Sequence, residues 1–180
     1  MSYCTPDLPD HEQIACEEYL NGGIDALSLN QPDAVVNDYA VAEDWQTEID
    51  ASRIKIITGI RAEFPDPTPT EVDNPVGGGA STIITGMECQ LNVLDYHSTA
   101  QNDQFWAEAN GKKFKIAWRE PENGIIKVVE RLCTVIATPV MVPGDNKQLQ
   151  RYNVVIKWTG KRNFFPVRYD EPANIFDADA

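Results

Sequence analysis

Two histidines stand in the 180-residue chain, and His97 alone has neighbours that could turn it into a base, with Asp95 two residues before it and Ser98 directly after. Ser–His–Asp catalysis needs the three groups to converge in space, next to a nucleophile elbow or oxyanion donors. Asp95 and His97 would share one face of a strand, yet no Gly-x-Ser-x-Gly accompanies them. The sequence therefore predicts a surface or helix-capping histidine in a chain that is not an enzyme.

Other reactive residue types are equally unassembled. Cys4, Cys16, Cys89 and Cys133 form no CxxC pair. Cys89 and Cys133 fall in strand-like runs, where a thiol behaves as a small buried apolar group. Cys4 and Cys16 could pair, stay as inert thiols, or bind a metal together with His11, but a tetrahedral site lacks its fourth ligand. Gly77-Gly78-Gly79 lacks the Gly-Lys-Ser/Thr ending of a phosphate loop. The aspartates show no calcium-loop spacing. No cofactor or metal is expected. Lys112, Lys113 and Lys115 beside Phe114 and Trp118 make one basic, aromatic stretch, and Lys157, Lys161, Arg162 and Arg168 beside Trp158, Phe164 and Phe165 make another. Their aromatics alternate with the bases, which turns them to a core instead of to nucleotide bases.

Charge is distributed unevenly. Residues 1–50 hold twelve acids and no Lys or Arg, whereas residues 111–170 hold twelve bases against five acids, in a chain of net charge −13. One consequence is a well-solvated acidic surface. The other is complementarity between one copy's acidic part and the next copy's basic part, a head-to-tail arrangement that yields rings or open stacks. No apolar run approaches the roughly 20 residues of a membrane helix. The start, Met1-Ser2-Tyr3-Cys4, lacks a basic n-region and an apolar h-region. The expectation is a protein used inside a cell, or carried out of it in a particle, with no membrane partner.

The elements that must position these residues read as strands. Residues 1–44 form an acidic N-terminal arm, in which Asp10–Leu20 has helix signals and Gly23–Asn30 could be a short strand. Ile54, Ile56, Thr58 and Ile60 would line one face of a strand ending near Phe64. A long loop over 65–80 follows, with Pro65, Pro67 and Pro69 unsuited to a sheet interior and three glycines at its tip. Ile83–Tyr96 alternates Met87, Cys89, Leu91 and Val93 with polar residues. Thr99 offers an N-cap to a helix over Ala100–Ala109 that packs Phe105 and Trp106. Phe114, Ile116 and Trp118 then face one way, Glu120–Gly124 makes a hairpin turn, Ile125–Thr138 returns until Pro139 interrupts it, and Tyr152, Val154, Ile156 and Trp158 point inward. The pattern predicts a mainly β domain over 45–170, an antiparallel β-sandwich or small barrel with one flanking short helix, and a C-terminal tail over 171–180.

The strand–helix–strand order from Ile83 to Trp158, the acidic arm before it and the long Pro/Gly loop resemble the tail-tube and ring, or connector, proteins of tailed bacteriophages. The Cys-containing opening and the Tyr152-to-Tyr169 close are similar to small virion proteins of phages infecting Bacteroidetes, the crAss-like group included. The resemblance is one of pattern over residues 45–170, without a diagnostic motif. It implies a virion structural protein, made in the bacterial host cytoplasm, that forms a ring or tube segment near the portal. Its implied partners are copies of itself in a hexameric or higher ring, other tail or connector proteins, and genome DNA passing non-specifically through the bore. Implied interface residues are Pro65, Asp66, Pro67, Pro69, Val72, Pro75, Val76 and Gly78 in the long loop, with Phe164, Phe165 and Phe176 near the C-terminus. The alternative is a stand-alone β-sandwich module binding carbohydrate or protein on a virion or cell surface, which a cluster of exposed aromatics on one sheet face would favour.

Overall fold

The alternation that reads as strands builds one antiparallel sheet in the computed structural model, which describes residues 23–74, 81–121, 124–140, 150–161, 164–172 and 175–176. Its elements in chain order are β1 (Ile24–Asn30), α1 (Ala42–Asp50), β2 (Ile54–Glu63), β3 (Thr68–Asn74), β4 (Ser81–Asp95), α2 (Ala100–Ala109), β5 (Lys113–Glu120), β6 (Ile125–Val140), β7 (Arg151–Gly160) and β8 (Val167–Asp170). The strand order is β2-β1-β5-β6-β7-β4-β3, and β2 also pairs with β4. That last pairing, Arg61 to Glu63 against Leu94 to Asn92, closes β1, β5, β6, β7, β4 and β2 into a barrel. Closure removes the unpaired strand edges that an open sheet would expose.

Side-chain alternation fills the barrel. Phe114, Ile116 and Trp118 from β5 meet Cys89, Leu91 and Val93 from β4 and Tyr152, Val154, Ile156 and Trp158 from β7 in one buried cluster. Phe64 stacks on Trp158 with ring centroids 5.7 Å apart, and Trp118 lies 5.8 Å from Phe64, so aromatic rings fill this part of the interior.

A second core lies outside the barrel wall. Trp45 of α1 packs with Ala26, Ala117, Ile126, Val128, Tyr39 and Phe176. The residues of β1 and β5 beneath α1 are small, Ala26, Ser28 and Ala117, which leaves room for the indole. Because α1 and the 34–39 segment cover it, β1 is buried on both faces along its whole length. Residues 24–44 are therefore an integral wall and cover of the barrel, and the domain does not begin at 45. The boundary expected after residue 44 falls inside α1. The helix expected over Asp10–Leu20 lies outside the described residues.

Three further expectations need correction. The fold has two helices among its described residues, not one. Its sequence trace is Ala42, Trp45 and Ile49 at spacings of three and four, with Glu43 and Asp44 in the first turn. The face expected for Ile54, Ile56, Thr58 and Ile60 is split: Ile54 and Ile56 belong to the outer core, while Ile57 and Ile60 point into the barrel. Gly59, at φ +69°, supplies the cause. It sits in an irregularity where Ile24 and Ala26 of β1, two residues apart, oppose Ala62 and Thr58 of β2, four apart, and across this stretch the inward face passes from Ile57 to Ile60. Finally, Pro139 does not interrupt β6; it pairs with Tyr152 near the strand's end.

Candidate assembly surface

Two places in the fold hold concentrated polar or exposed chemistry. The first lies around α2. The Asp95 carboxylate, fully buried, accepts from the backbone N–H of His97 at 2.9 Å, contacts His97 Nδ1 at 2.9 Å and accepts from Trp106 Nε1 at 2.7 Å. Asn102 Nδ2 donates to the His97 carbonyl at 2.8 Å, and the Asn102 N–H donates to the Thr99 hydroxyl at 3.1 Å, the expected N-cap. Tyr152 donates its phenol to Asp103 of the same helix. Burial, and then the Asp103 carboxylate, pushes that phenol above its ordinary range. The sequence predicts a surface or helix-capping histidine; His97 is buried, 5% exposed, so it is not on the surface, and it lies just before α2 with its carbonyl bound by Asn102. These bonds fasten α2 to the ends of β4 and β7, since a buried carboxylate must be met by donors.

The thiols behave as the strand pattern predicts. Cys89 and Cys133 are free and buried inside the barrel. Burial pushes the Cys133 thiol up to about 12 and also raises Cys89. Both stay protonated at neutral pH, in the unreactive form. Cys4, Cys16 and His11 lie outside the described residues. Of the aromatics in the two basic stretches, Phe114, Trp118 and Trp158 are buried as expected, whereas Phe164 is half-buried and Phe165 is turned outward. Lys115 spends its ammonium on the Ala34 carbonyl at 2.7 Å.

The second place is the β3–β4 hairpin and the wall beside it. β4 pairs with β7 only from Met87 onward, opposite Gly160, whereas it pairs with β3 from Ser81 to Glu88. Residues 81–86 thus carry a two-stranded extension beyond the barrel. Gly86 and Gly160 face one another where it departs: a Cβ on Gly86 would come 3.2 Å from the Gly160 carbonyl, and one on Gly160 would come 2.8 Å from the Phe164 Cβ. A one-residue bulge opposite Thr70 and Glu71 bends the hairpin, and the Thr85 hydroxyl donates to the Thr70 carbonyl at 3.0 Å. Among the described residues, nothing pairs with the outer edge of β3, and Thr68 to Glu71 are exposed along it.

The sequence-derived interface residues divide around this extension. Pro65, Asp66 and Pro67 join β2 to β3, Pro69 and Val72 lie in β3, and Pro75, Val76 and Gly78 lie outside the described residues. The long loop expected over 65–80 is thus in part a strand. Its prolines mark it as an edge, which is where Pro fits in a sheet. Phe165 is 62% exposed, and its ring lies 4.3 Å from that of half-buried Phe164. The Phe164 carbonyl accepts from Trp158 Nε1 at 2.9 Å, which anchors this turn to the barrel. Phe176 departs from expectation: it is fully buried in its own chain, 5.5 Å from Trp45 in an edge-to-face contact, and is not an interface residue.

β8 was not foreseen. It pairs with Ile125–Val128 of β6, on the side that β7 covers further along. Val167, Arg168 and Asp170 are exposed on it, while Tyr169 packs on Tyr39 with centroids 5.1 Å apart. The C-terminal stretch that follows is held by Arg119, whose guanidinium donates to Asp25 at 2.9 and 2.7 Å and to Glu171 at 3.1 Å.

In comparison with known proteins, the chain matches no family model, no curated protein and no solved structure. The class that the described residues define is a small antiparallel β-barrel with two helices, from which the β3–β4 hairpin extends.

Proposed function

We propose that this protein is a structural subunit that assembles with copies of itself into a ring or tube segment of a bacteriophage virion, at the tail or its connector. The observation that carries this reading is the β3–β4 extension. A two-stranded hairpin is marginal alone in water, and an unpaired strand edge is a template for another chain. A barrel that closes six strands yet leaves such a hairpin projecting gains stability when a neighbour covers it. The lopsided charge supports the same reading, since residues 1–50 carry acids without bases and residues 111–170 an excess of bases. Acid-rich surface turned to a bore would repel phosphates and let DNA slide without sticking.

A binding module would want several exposed aromatics on one sheet face. Phe165 is the single exposed aromatic among the described residues, so the assembly reading is preferred. The test is gold-labelled antibody against this protein on intact phage particles of its source. Label at the tail or neck is expected. Label confined to host material would overturn the assignment.

A further inference from the structure

Resting on the assembly reading, we infer that copies join face to face, the α1 cover of one copy seated on the bare β6–β7 wall of the next. The two surfaces lie on opposite sides of one molecule. In the closed strand order β1, which lies beneath the cover, and β7 stand three strands apart in either direction. The cover meets β6 at Ile126 and Val128, near the start of that strand. Further along, β6 turns Thr134, Ile136 and Thr138 outward, opposite Lys157, Val155 and Asn153 of β7. Leu132 and Ile136 are exposed apolar side chains on this stretch. The cover has its own, Val35 at 61% and Val41 at the start of α1.

Charge selects the occupant. Residues 31–53, which make the cover, hold Asp33, Asp38, Glu43, Asp44, Glu48 and Asp50 against Arg53 alone. Arg53 meets Glu48 at 2.7 Å, while Asp33, Asp38, Glu43 and Asp50 are exposed. Asp38, Asp44 and Asp50 accept from the Ala40 N–H, the Asp38 N–H and the Gln46 amide, neutral donors that leave the negative charge in place. The wall stretches, residues 131–140 and 151–160, hold Arg131, Arg151 and Lys157 and no acid. Glu130, just before them, accepts from the Tyr39 phenol on the cover side. Glu88 of neighbouring β4 offsets Lys157 at 3.1 Å, so the positive balance rests on the two arginines. Arg131 donates to the Thr159 carbonyl at 2.8 Å and Arg151 to the Asn153 side-chain oxygen at 3.1 Å, both uncharged acceptors. Two covers would repel one another, as would two walls, whereas cover against wall is attractive. The apolar side chains on each face lose water in that contact, which adds to its stability. Because the faces differ and lie on opposite sides of the barrel, the contact is heterologous and propagates into a ring or an open stack.

The test uses full-length chains with new thiols on the two faces, Gln46→Cys in α1 and Thr138→Cys in β6, treated with a short bis-maleimide beside the unsubstituted protein. Both residues are exposed, and neither change alters the charge. The doubly substituted chain should give a ladder of covalent dimers, trimers and higher species above the unsubstituted background, with bridges from 46 to 138 found by peptide mapping. An equal mixture of the two single variants should give the same bridge and stop at dimers, and each single variant alone should add nothing to the background. Bridges from position 138 to Cys4 or Cys16 would seat the acid-bearing residues 1–22 on the wall and would overturn the inference. So would bridges joining position 138 to itself or position 46 to itself in two copies. Oligomers seen by light scattering without any bridge from 46 to 138 would overturn this contact while leaving the assembly reading intact. A chain that stays monomeric throughout would overturn both.

Discussion

Trp106 donates its indole N–H to the buried carboxylate of Asp95 at 2.7 Å, joining the last residue of β4 to the middle of α2. The same carboxylate meets the backbone N–H and ring of His97. One acid therefore holds both the turn between strand and helix and the helix itself. Replacing Asp95 with Ala removes the acceptor these buried donors share, at about 1–3 kcal/mol for each hydrogen bond lost. Urea unfolding should show a lower midpoint with an unchanged slope.

Arg119 performs the matching task at the outer core, gripping Asp25 and Glu171 together. Arg119→Met should destabilise the fold by about 3–5 kcal/mol, because Asp25 would keep a buried charge without its partner. Pairing the change with Asp25→Leu should recover much of that loss in a double-mutant cycle.

Phe176 and Phe165 should behave oppositely. Truncating buried Phe176 to Ala empties the space against Trp45 and should cost about 3–5 kcal/mol in thermal or chemical unfolding. Phe165→Ala removes an exposed ring and should leave stability within about 0.5 kcal/mol. On the proposed assembly reading, the same change should weaken oligomer formation in sedimentation velocity.

Gly160 stands where the hairpin leaves the barrel, with Phe164 and Arg131 against it. Gly160→Ala should push the 164–165 turn outward and cost about 1–3 kcal/mol, the range for overpacking. Proteolysis near this turn should accelerate with it.

Alkaline pH should weaken the fold by a definite route. Cys133 titrates at about 12 when folded, against 9.0 for the free thiol, because burial disfavours the thiolate. A raised acid of this kind contributes its stability in full below pH 9.0, and that contribution is lost progressively as pH rises toward 12. Tyr152 is shifted the same way from 10.0 and adds to the loss above that pH. Melting temperature should be flat near neutrality and fall above pH 9, less steeply in Cys133→Val.

The strands were legible where alternation ran unbroken. Tyr152 to Trp158 and Phe114 to Trp118 face the barrel as their spacing says, and Thr99 caps α2 as its type says. Legibility failed where a side chain changed faces or served two layers. Gly59 flips β2 between cores, a backbone event that no residue pattern announces. β1 lacks clean alternation because both of its faces are buried. β3 was obscured by Pro69, since proline argues against a strand unless the strand is an edge. Phe176 was misassigned because its burial depends on Trp45, far away in sequence. The surfaces proposed to carry assembly appear only once the pairing of distant strands is known.

Sedimentation velocity of the full-length protein, over a wide concentration range at low and high salt, tests the account most directly. The account predicts particles several times the 20.1 kDa chain mass, growing with concentration and dissociating as salt screens the opposed charges. A single 20.1 kDa species at every concentration and salt would contradict it.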